Sequence, residues 1–154
     1  NFDFEVSPNI QFTFSKQKYP TSNIDPRSSE FKKHYYPNRI QMLGKKEEYE
    51  CAKYIDKLEN IETWIRNIDR RPDYSFWLQT STDKFYPDFI LKLINGKILV
   101  IEYKGEDRTT NDDSKEKNKI GSVWEDLNPN VGFIMVSAND YMHKIKNKIA
   151  KLLH

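Results

Sequence analysis

Hydrophobic side chains recur with two different spacings along the chain, and these spacings predict both helices and strands. Between residues 46 and 59 the apolar positions are three or four residues apart, so they share one face of a helix. Shorter apolar segments between turn residues are typical of strands. The predicted elements, in chain order, are helix 46–59, strands 61–67, 75–79, 85–94 and 97–104, helix 113–127, strand 131–137 and helix 139–152 with Asn139 as its N-cap. This α-β-β-β-β-α-β-α order indicates an α/β fold with a mixed sheet flanked by helices.

The loop between the two strongest predicted strands has two possible lengths, with opposite consequences for Asp88. A two-residue loop at Asn95-Gly96 would place Asp88 opposite Tyr103 and turn its side chain away from Glu102. A three-residue loop, with Gly96 in the left-handed conformation, would place Asp88 opposite Glu102, with Cβ atoms about 4.5–5.5 Å apart. A site that uses both acids therefore requires the three-residue loop or an equivalent bulge.

Candidate chemistry is carried by Pro87-Asp88 and, fourteen positions after the aspartate, by Glu102-Tyr103-Lys104. Two adjacent carboxylates repel each other and raise one pKa unless a cation lies between them. The acids at 88 and 102 suit Mg²⁺, which takes oxygen ligands, and the Tyr103 backbone carbonyl is a candidate further ligand. Lys104 shares the face of Glu102 and can hold a phosphate and orient or deprotonate a water. The set predicts a phosphodiester hydrolase.

The acids also fit structural interpretations. Asp88 and Glu102 can be edge carboxylates that pair with Lys92 and Lys104. Glu48 lies on the apolar face of the first predicted helix, so its carboxylate needs a partner, such as a metal or Lys104. Alternatively, Glu48 is a first-turn acid that complements the helix dipole.

Composition narrows the function classes. An apolar fraction of 37% and an aromatic fraction of 14% indicate a folded domain rather than a disordered chain. Cys51 is the only cysteine, so it forms no internal disulfide and no Cys-rich zinc site, and a reducing, cytoplasmic setting is expected. The chain has no signal-peptide run and no apolar stretch of membrane-spanning length, which predicts a soluble protein without membrane contact. His34, His143 and His154 lack metal-ligand spacing and are expected to be surface or partly packed residues.

The net charge is only +2, but the last predicted helix concentrates positive charge. Its lysines are Lys144, Lys146, Lys148 and Lys151, against the single acid Asp140. Such a face can contact phosphate, or it can be the solvated side of an amphipathic helix. In helix 113–127, Lys117 shares a face with Trp124 and leaves a similar choice between a phosphate contact and a surface lysine.

Residues 1–45 differ from the rest of the chain because their prolines interrupt any long helix. Phenylalanines between positions 2 and 14 alternate with polar residues, which predicts short strands. We interpret 1–45 as an N-terminal extension that packs on the core or on a neighbouring domain, and 46–154 as the main domain.

Several motifs together resemble one known family. They are the segment FYPDFILKLINGKILVIEYKG at 85–105, the pattern D-x-x-E-K-x-x-I-G-x-x-W at 113–124, WIRN at 64–67, SFW at 75–77 and the surroundings of Glu48. Taken in chain order, these motifs resemble the nuclease domain of type III restriction-enzyme helicase subunits, over residues 47–137. Arg66 and Asn67 match that family's signature, and they are expected to order the sheet or an adjoining loop.

The resemblance implies a PD-(D/E)XK, restriction-endonuclease-like fold and Mg²⁺-dependent cleavage of double-stranded DNA, with Mn²⁺ as a substitute ion. In that family the domain follows an ATP-driven helicase or translocase motor, and a methyltransferase subunit recognises the DNA sequence. The catalytic roles carry over to Asp88, Glu102, Lys104 and Glu48. Candidate contacts to DNA phosphates are Lys117, Arg66, Lys144 and Lys148. The chain has no G-x-x-x-x-G-K-[ST] phosphate loop, so it contains no motor of its own.

Three other functions stay open at this point. One is a stand-alone repair or junction nuclease, since the motor is absent. Another is a catalytically silent DNA-binding or scaffold domain, which keeps the basic last helix but needs no metal. The third is an interaction module whose acids are only structural, and metal binding would separate it from the nucleases.

Overall fold

A four-stranded mixed sheet lies at the centre of the protein in the computed structural model, which describes residues 14, 19, 22–44, 46–71, 75–105 and 112–154. The α-helices are α1 (Lys46–Asp56), α2 (Asp112–Leu127) and α3 (Tyr141–Leu153), and a 3-10 turn spans Ser28–Glu30. The strands are β1 (Ile61–Arg66), β2 (Leu78–Gln79), β3 (Lys84–Phe85), β4 (Phe89–Leu93), β5 (Ile98–Tyr103) and β6 (Val131–Val136). None of the helices in the described ranges is both long and apolar enough to span a membrane.

The strand order in the sheet is β1-β4-β5-β6. β4 pairs antiparallel with β1 and β5, whereas β5 and β6 are parallel. A parallel pair needs a crossover connection, and α2 lies in that connection. The chain is therefore mixed α/β with a mixed sheet, as its hydrophobic pattern predicts.

Helices cover both faces of the sheet, because apolar side chains of β4 and β5 point to both sides. One core cluster joins α1 and α3 to the sheet face that includes Leu91 and Ile101. The other joins α2 and the β2–β3 hairpin to the face that includes Ile90 and Val100. A side chain at an even-numbered position of β5 thus lies beneath α2.

The three-residue loop is confirmed. β4 pairs with β5 in the register Phe89 with Ile101 through Lys92 with Ile98, and the Leu93 amide donates to the Lys97 carbonyl at 2.8 Å. Gly96 has a φ of 89°, which other residues rarely adopt. Continued past the end of β4, this register sets position 88 opposite position 102.

Three local predictions were wrong. The predicted strand 85–94 is divided, because β3 pairs with β2 while β4 begins at Phe89. Pro87, between them, has no N–H for a strand ladder. Of the predicted strand 75–79, only Leu78–Gln79 is a strand. Asn139 is not the N-cap of α3, since Asp140 holds that position and accepts a hydrogen bond from the Ser137 amide at 2.8 Å.

Part of the N-terminal segment packs on the sheet. Phe31, Ile40 and Leu43 belong to the α1–α3 core cluster. The Tyr35 amide donates to the Trp64 carbonyl at 2.8 Å, which covers the outer edge of β1. His34 is buried, whereas a surface or partly packed position was expected for it. The predicted strands between positions 2 and 14 lie almost entirely outside the described residues, and the domain boundary at 45 stays a prediction.

The close contact between α2 and β6 gives a test of this packing. A Cβ added to Gly121 would overlap the ring of Phe133. We expect Gly121→Ala to destabilise the protein by about 1–3 kcal/mol, since an added methyl forces a packed core to shift. The free energy of urea unfolding measures the effect. Ser122→Ala, at an exposed position of the same helix, is the matched control, and an equal or greater stability of Gly121→Ala would contradict the packing.

Candidate active site

Asp88 and Glu102 lie side by side at the end of the β4–β5 hairpin. The Tyr103 backbone N–H donates to Asp88 Oδ2 at 2.8 Å, which fixes the aspartate against the end of β5. The carboxyl groups of Asp88 and Glu102 are close enough for the charge of Asp88 to raise the pKa of Glu102. The hairpin thus brings the two predicted acids together, as the three-residue loop requires.

Glu102 is a buried carboxyl group in an unfavourable environment. Only 9% of the residue is exposed, and its Oε1 atom has no hydrogen-bond partner among the described residues. Burial raises the pKa of Glu102 well above its usual range, and the negative charge of Asp88 raises it further. The charge of Lys117 acts in the opposite direction. The site therefore favours either a proton or a cation at Glu102.

Lys117 is the ion-pair partner of Glu102. Its Nζ lies 3.6 Å from Glu102 Oε2 and 3.1 Å from Asp113 Oδ2. Asp113 and Lys117 are one turn apart on α2 and can therefore pair, while the contact with Glu102 joins Lys117 to the sheet. Lys117, which was predicted to contact phosphate or to be a surface lysine, thus contacts a predicted catalytic acid.

Arg66 connects Glu48 to Asp88, and this was not predicted. Its Nη2 lies 3.2 Å from Glu48 Oε1, and its Nη1 lies 3.3 Å from Asp88 Oδ1. The Arg66 side chain is only 16% exposed, and its Nε has no partner among the described residues. Arg66 is thus one partner of Glu48, for which the sequence suggested a metal or Lys104 as partner or a first-turn role at the helix dipole. Glu48 also accepts a hydrogen bond from the Gly44 amide just before α1.

His34 holds the strand end that carries Arg66. Its Nε2 accepts a hydrogen bond from the Arg66 backbone N–H at 3.0 Å. Burial lowers the pKa of His34 to about 4, so the ring is neutral near pH 7 and can accept at that nitrogen. No residue spacing around His34 in the sequence could have revealed this role.

Asn67 orders the chain that leads to Asp88, as its place in the family signature suggested. Its Nδ2 donates to the carbonyls of Phe76 and Pro87 at 2.8 and 2.9 Å, and its Oδ1 accepts from the Phe76 amide at 3.1 Å. Its own amide donates to the Asp88 carbonyl at 2.8 Å. One buried side chain therefore fixes the divided strand at its break.

The Tyr103 carbonyl faces the same break. In a strand the N–H and C=O of one residue point to the same side, so this carbonyl points toward Asp88, where the amide points. The residue expected opposite Tyr103 in the continued register is Pro87, which has no N–H to donate. The carbonyl therefore faces a position from which no strand N–H can donate to it, and its role as a metal ligand stays a prediction.

Lys104 lies at the junction of two clefts. A cleft of about 710 Å³ is lined by Lys104 together with Glu48, Arg66 and Tyr103. A second, of about 530 Å³, is lined by Lys104 and by lysines of α2 and α3. Lys104 is half-buried and shares the β5 face of Glu102.

The other two lysines predicted to contact DNA phosphates, Lys144 and Lys148, line the second cleft. Lys144 Nζ is 3.4 Å from Asp140 Oδ2, and Lys148 Nζ is 2.6 Å from Glu125 Oε1. Lys92, the structural partner considered for the site acids, instead pairs with Glu62 at 3.4 Å.

The donor atoms of the site fit a hard cation that keeps several waters. Two adjacent carboxylates, one of which keeps an oxygen without a hydrogen-bond partner in the described ranges, and the Tyr103 carbonyl are oxygen ligands of the kind that Mg²⁺ takes. Within the described ranges, no cluster of three or more His, Cys, Asp or Glu side chains is arranged to hold a metal. This excludes a dedicated protein cage from those ranges, but Mg²⁺ usually takes only one or two carboxylates.

Comparison with known proteins gives no family for this chain. No protein-family model, no curated protein and no solved structure matches it. The PD-(D/E)XK assignment therefore rests on the residues alone and stays a prediction.

Removal of Arg66 tests the ion-pair network. Arg66→Ala removes the guanidinium that forms ion pairs with both Glu48 and Asp88 in a largely buried setting. We expect a loss of about 3–5 kcal/mol in the free energy of urea unfolding, since breaking a buried pair strands its partner. Arg70→Ala, at an exposed arginine, is the control and should change stability by about 0.5 kcal/mol or less. Equal stabilities of the two variants would show that the network contributes nothing.

The raised pKa of Glu102 predicts a pH-dependent effect of Glu102→Gln in metal-free buffer. A group whose pKa is higher in the folded state contributes stability that is complete below its unfolded pKa and is lost as pH rises through the folded value. The parent protein should lose this contribution above about pH 4.3, the ordinary glutamate value, whereas the glutamine variant has none to lose. The stability of Glu102→Gln relative to the parent should therefore increase with pH.

Urea unfolding of both proteins across a pH series measures this difference. Glu59→Gln, at an exposed position, supplies the background for loss of one carboxylate. A relative stability of Glu102→Gln that falls as pH rises would show that the folded protein prefers the ionised form of Glu102.

Proposed function

We propose that this chain is a metal-dependent nuclease domain of the PD-(D/E)XK type that hydrolyses phosphodiester bonds of DNA. The observation that carries the proposal is the adjacent pair Asp88 and Glu102, with a buried glutamate oxygen that lacks a partner in the described part of the chain. A protein rarely buries such a pair without a functional reason, because the cost falls on the folded state.

Asp88, Glu102 and the Tyr103 carbonyl would hold Mg²⁺, with Mn²⁺ as a substitute. When bound, the ion supplies Lewis-acid chemistry, since it makes water more acidic and offsets negative charge on a phosphate. Binding would also relieve the repulsion between the two carboxylates. After burial, the charge of Asp88 is the largest cause of the raised pKa of Glu102.

Lys104 is proposed to bind the scissile phosphate and to orient or deprotonate the attacking water. It follows Glu102 by two residues on the same face of β5, and it borders the cleft that Arg66 and Glu48 line. Arg66 is proposed as a positioning residue, because its guanidinium contacts the Asp88 carboxylate. Glu48 then acts through Arg66.

The biological setting of the proposal comes from the sequence resemblance. A restriction-type endonuclease domain would work with a helicase or translocase motor, and in a type III system with a methyltransferase subunit. A stand-alone repair or junction nuclease would use the same site without these partners.

A second function is favoured by the cations at the site. Arg66 and Lys117 already offset part of the charge of Asp88 and Glu102, so the arrangement is also consistent with a domain that has the fold but does not bind metal. Such a domain would bind DNA through its lysines and would not cut it.

Cleavage of a supercoiled plasmid by the purified chain separates the two functions. We expect cleavage that requires Mg²⁺ or Mn²⁺, and a rate at least about 10²-fold lower in Asp88→Asn and in Lys104→Ala, the scale on which a charge-stabilising group acts. Asp126→Asn removes an exposed acid of α2 and should cut as the parent does.

Thermal denaturation supplies the second readout. Mg²⁺ should raise the melting temperature of the parent and of Lys104→Ala but not of Asp88→Asn, because the ion binds the folded state. Absence of both cleavage and a metal-induced shift in the parent would rule out the nuclease and favour the silent DNA-binding domain.

A further inference from the structure

A groove follows the outer edge of β6, the last strand of the sheet. It lies between α2 and α3, has a volume of about 530 Å³ and begins at Lys104. We call it the β6 groove. Its basic side chains are Lys104, Lys115, Lys144, Lys148 and Lys151. Asparagines of both helices and a histidine of α3 also line it, but no carboxylate does.

The edge of β6 is already closed to another strand. The Phe133 amide donates to Glu125 Oε1 at 2.7 Å, and Lys144 Nζ donates to the Met135 carbonyl at 3.0 Å. Side chains from α2 and α3 thus occupy backbone groups that an added peptide strand would need. The groove does not suit a peptide that binds by strand addition.

Spacing along α3 suits a regular row of negative charges. Lys144, Lys148 and Lys151 are four and three positions apart, so they lie on one side of the helix over about 10 Å. One strand of DNA carries a charge about every 3.4 Å along the axis, so this distance spans roughly three phosphates.

Charge in the groove is only partly neutralised by neighbouring acids. Glu125 pairs with Lys148, and Asp140 pairs with Lys144. Lys115 and Lys151 are exposed, and neither forms a salt bridge with any carboxylate in the described ranges. Positive charge therefore extends from Lys104 beyond the site acids and along both walls.

We propose that the β6 groove is a backbone track that binds successive phosphates of one substrate strand as the strand passes Lys104. The substrate is a nucleic acid rather than an acidic protein, because the lysines form a periodic row and the strand edge is occupied. This assignment rests on the proposed function for the identity of the polymer, while the groove itself is defined by its geometry. The protein would then contact more phosphates of this strand on one side of the cleavage site than on the other.

The test measures binding of a fluorescein-labelled DNA duplex by the full chain, by anisotropy, with Ca²⁺ in place of Mg²⁺ and over a salt series. The double variant Lys115→Gln with Lys151→Gln removes the two exposed groove lysines. We expect binding about tenfold weaker at moderate salt, and a salt-dependence slope smaller in magnitude by about 1.8, since each contact to a B-DNA phosphate contributes about 0.9.

The control carries the same loss of charge elsewhere. Lys32→Gln with Lys57→Gln changes two exposed lysines outside the groove and should leave both the affinity and the slope as in the parent. Equal losses in the two double variants, or no loss in either, would overturn the track. Urea unfolding of each variant confirms that the comparison is made between folded proteins.

Two further probes exclude other occupants. Poly-L-glutamate and vesicles that contain phosphatidylserine are tested for binding to the same variants. A groove variant that loses either of these while it binds DNA as the parent does would overturn the proposal.

The result is independent of catalysis. If Asp88→Asn stops cleavage but the groove variant binds normally, the nuclease stands and the track fails. If the groove variant binds weakly while no protein cuts DNA, the track stands and the nuclease fails.

Discussion

Asp88 is held by the Tyr103 backbone N–H at 2.8 Å, and the rest of the site depends on this hydrogen bond. It anchors the aspartate to the end of β5, one residue before the β4–β5 register begins at Phe89. Pro87 interrupts the hydrogen-bond ladder between the strands, because it has no N–H. At this break the Asp88 side chain, and not a strand backbone, accepts the Tyr103 N–H. As a result, two carboxylates meet at the edge of a buried sheet.

The cations around Asp88 and Glu102 offset the free-energy cost of burying two carboxylates. Arg66 reaches Asp88 from β1, and Lys117 reaches Glu102 from α2, so each acid has a cation from a different element. Compensation is incomplete, since Glu102 keeps a buried oxygen with no partner in the described ranges and a pKa above its usual range. The site therefore combines rigidity with unsatisfied negative charge. A cation that binds to such a site stabilises the folded protein. Lys104, at the junction of the two clefts, links this charge to the basic side of the molecule.

Much of the fold could be predicted because the strongest patterns correspond to buried elements. Strands β5 and β6 are apolar on both faces, and helices α1 and α2 have a clear apolar face, so their predicted limits were close to the observed ones. The prediction was wrong where tertiary contacts overrode local preference. The chain at 85–94 has the pattern of one strand, but Pro87 and the Asn67 side chain divide it. His34 has the sequence context of a surface residue, yet it is buried against the end of β1.

The sequence by itself predicted the mixed α/β fold, placed Lys104 on the face of Glu102 by strand alternation, and reduced the relation of Asp88 to Glu102 to two loop lengths, of which only the three-residue loop sets the two acids opposite each other. These are local properties, because loop length and strand parity fix them within some twenty residues. Only the tertiary structure decided that Arg66 would join Glu48 to Asp88, that Lys117 would reach Glu102, and that lysines of α2 and α3 would line one groove beside Lys104. Those contacts join elements far apart in the chain, and their geometry depends on how helices pack across a sheet, which no spacing along the sequence encodes.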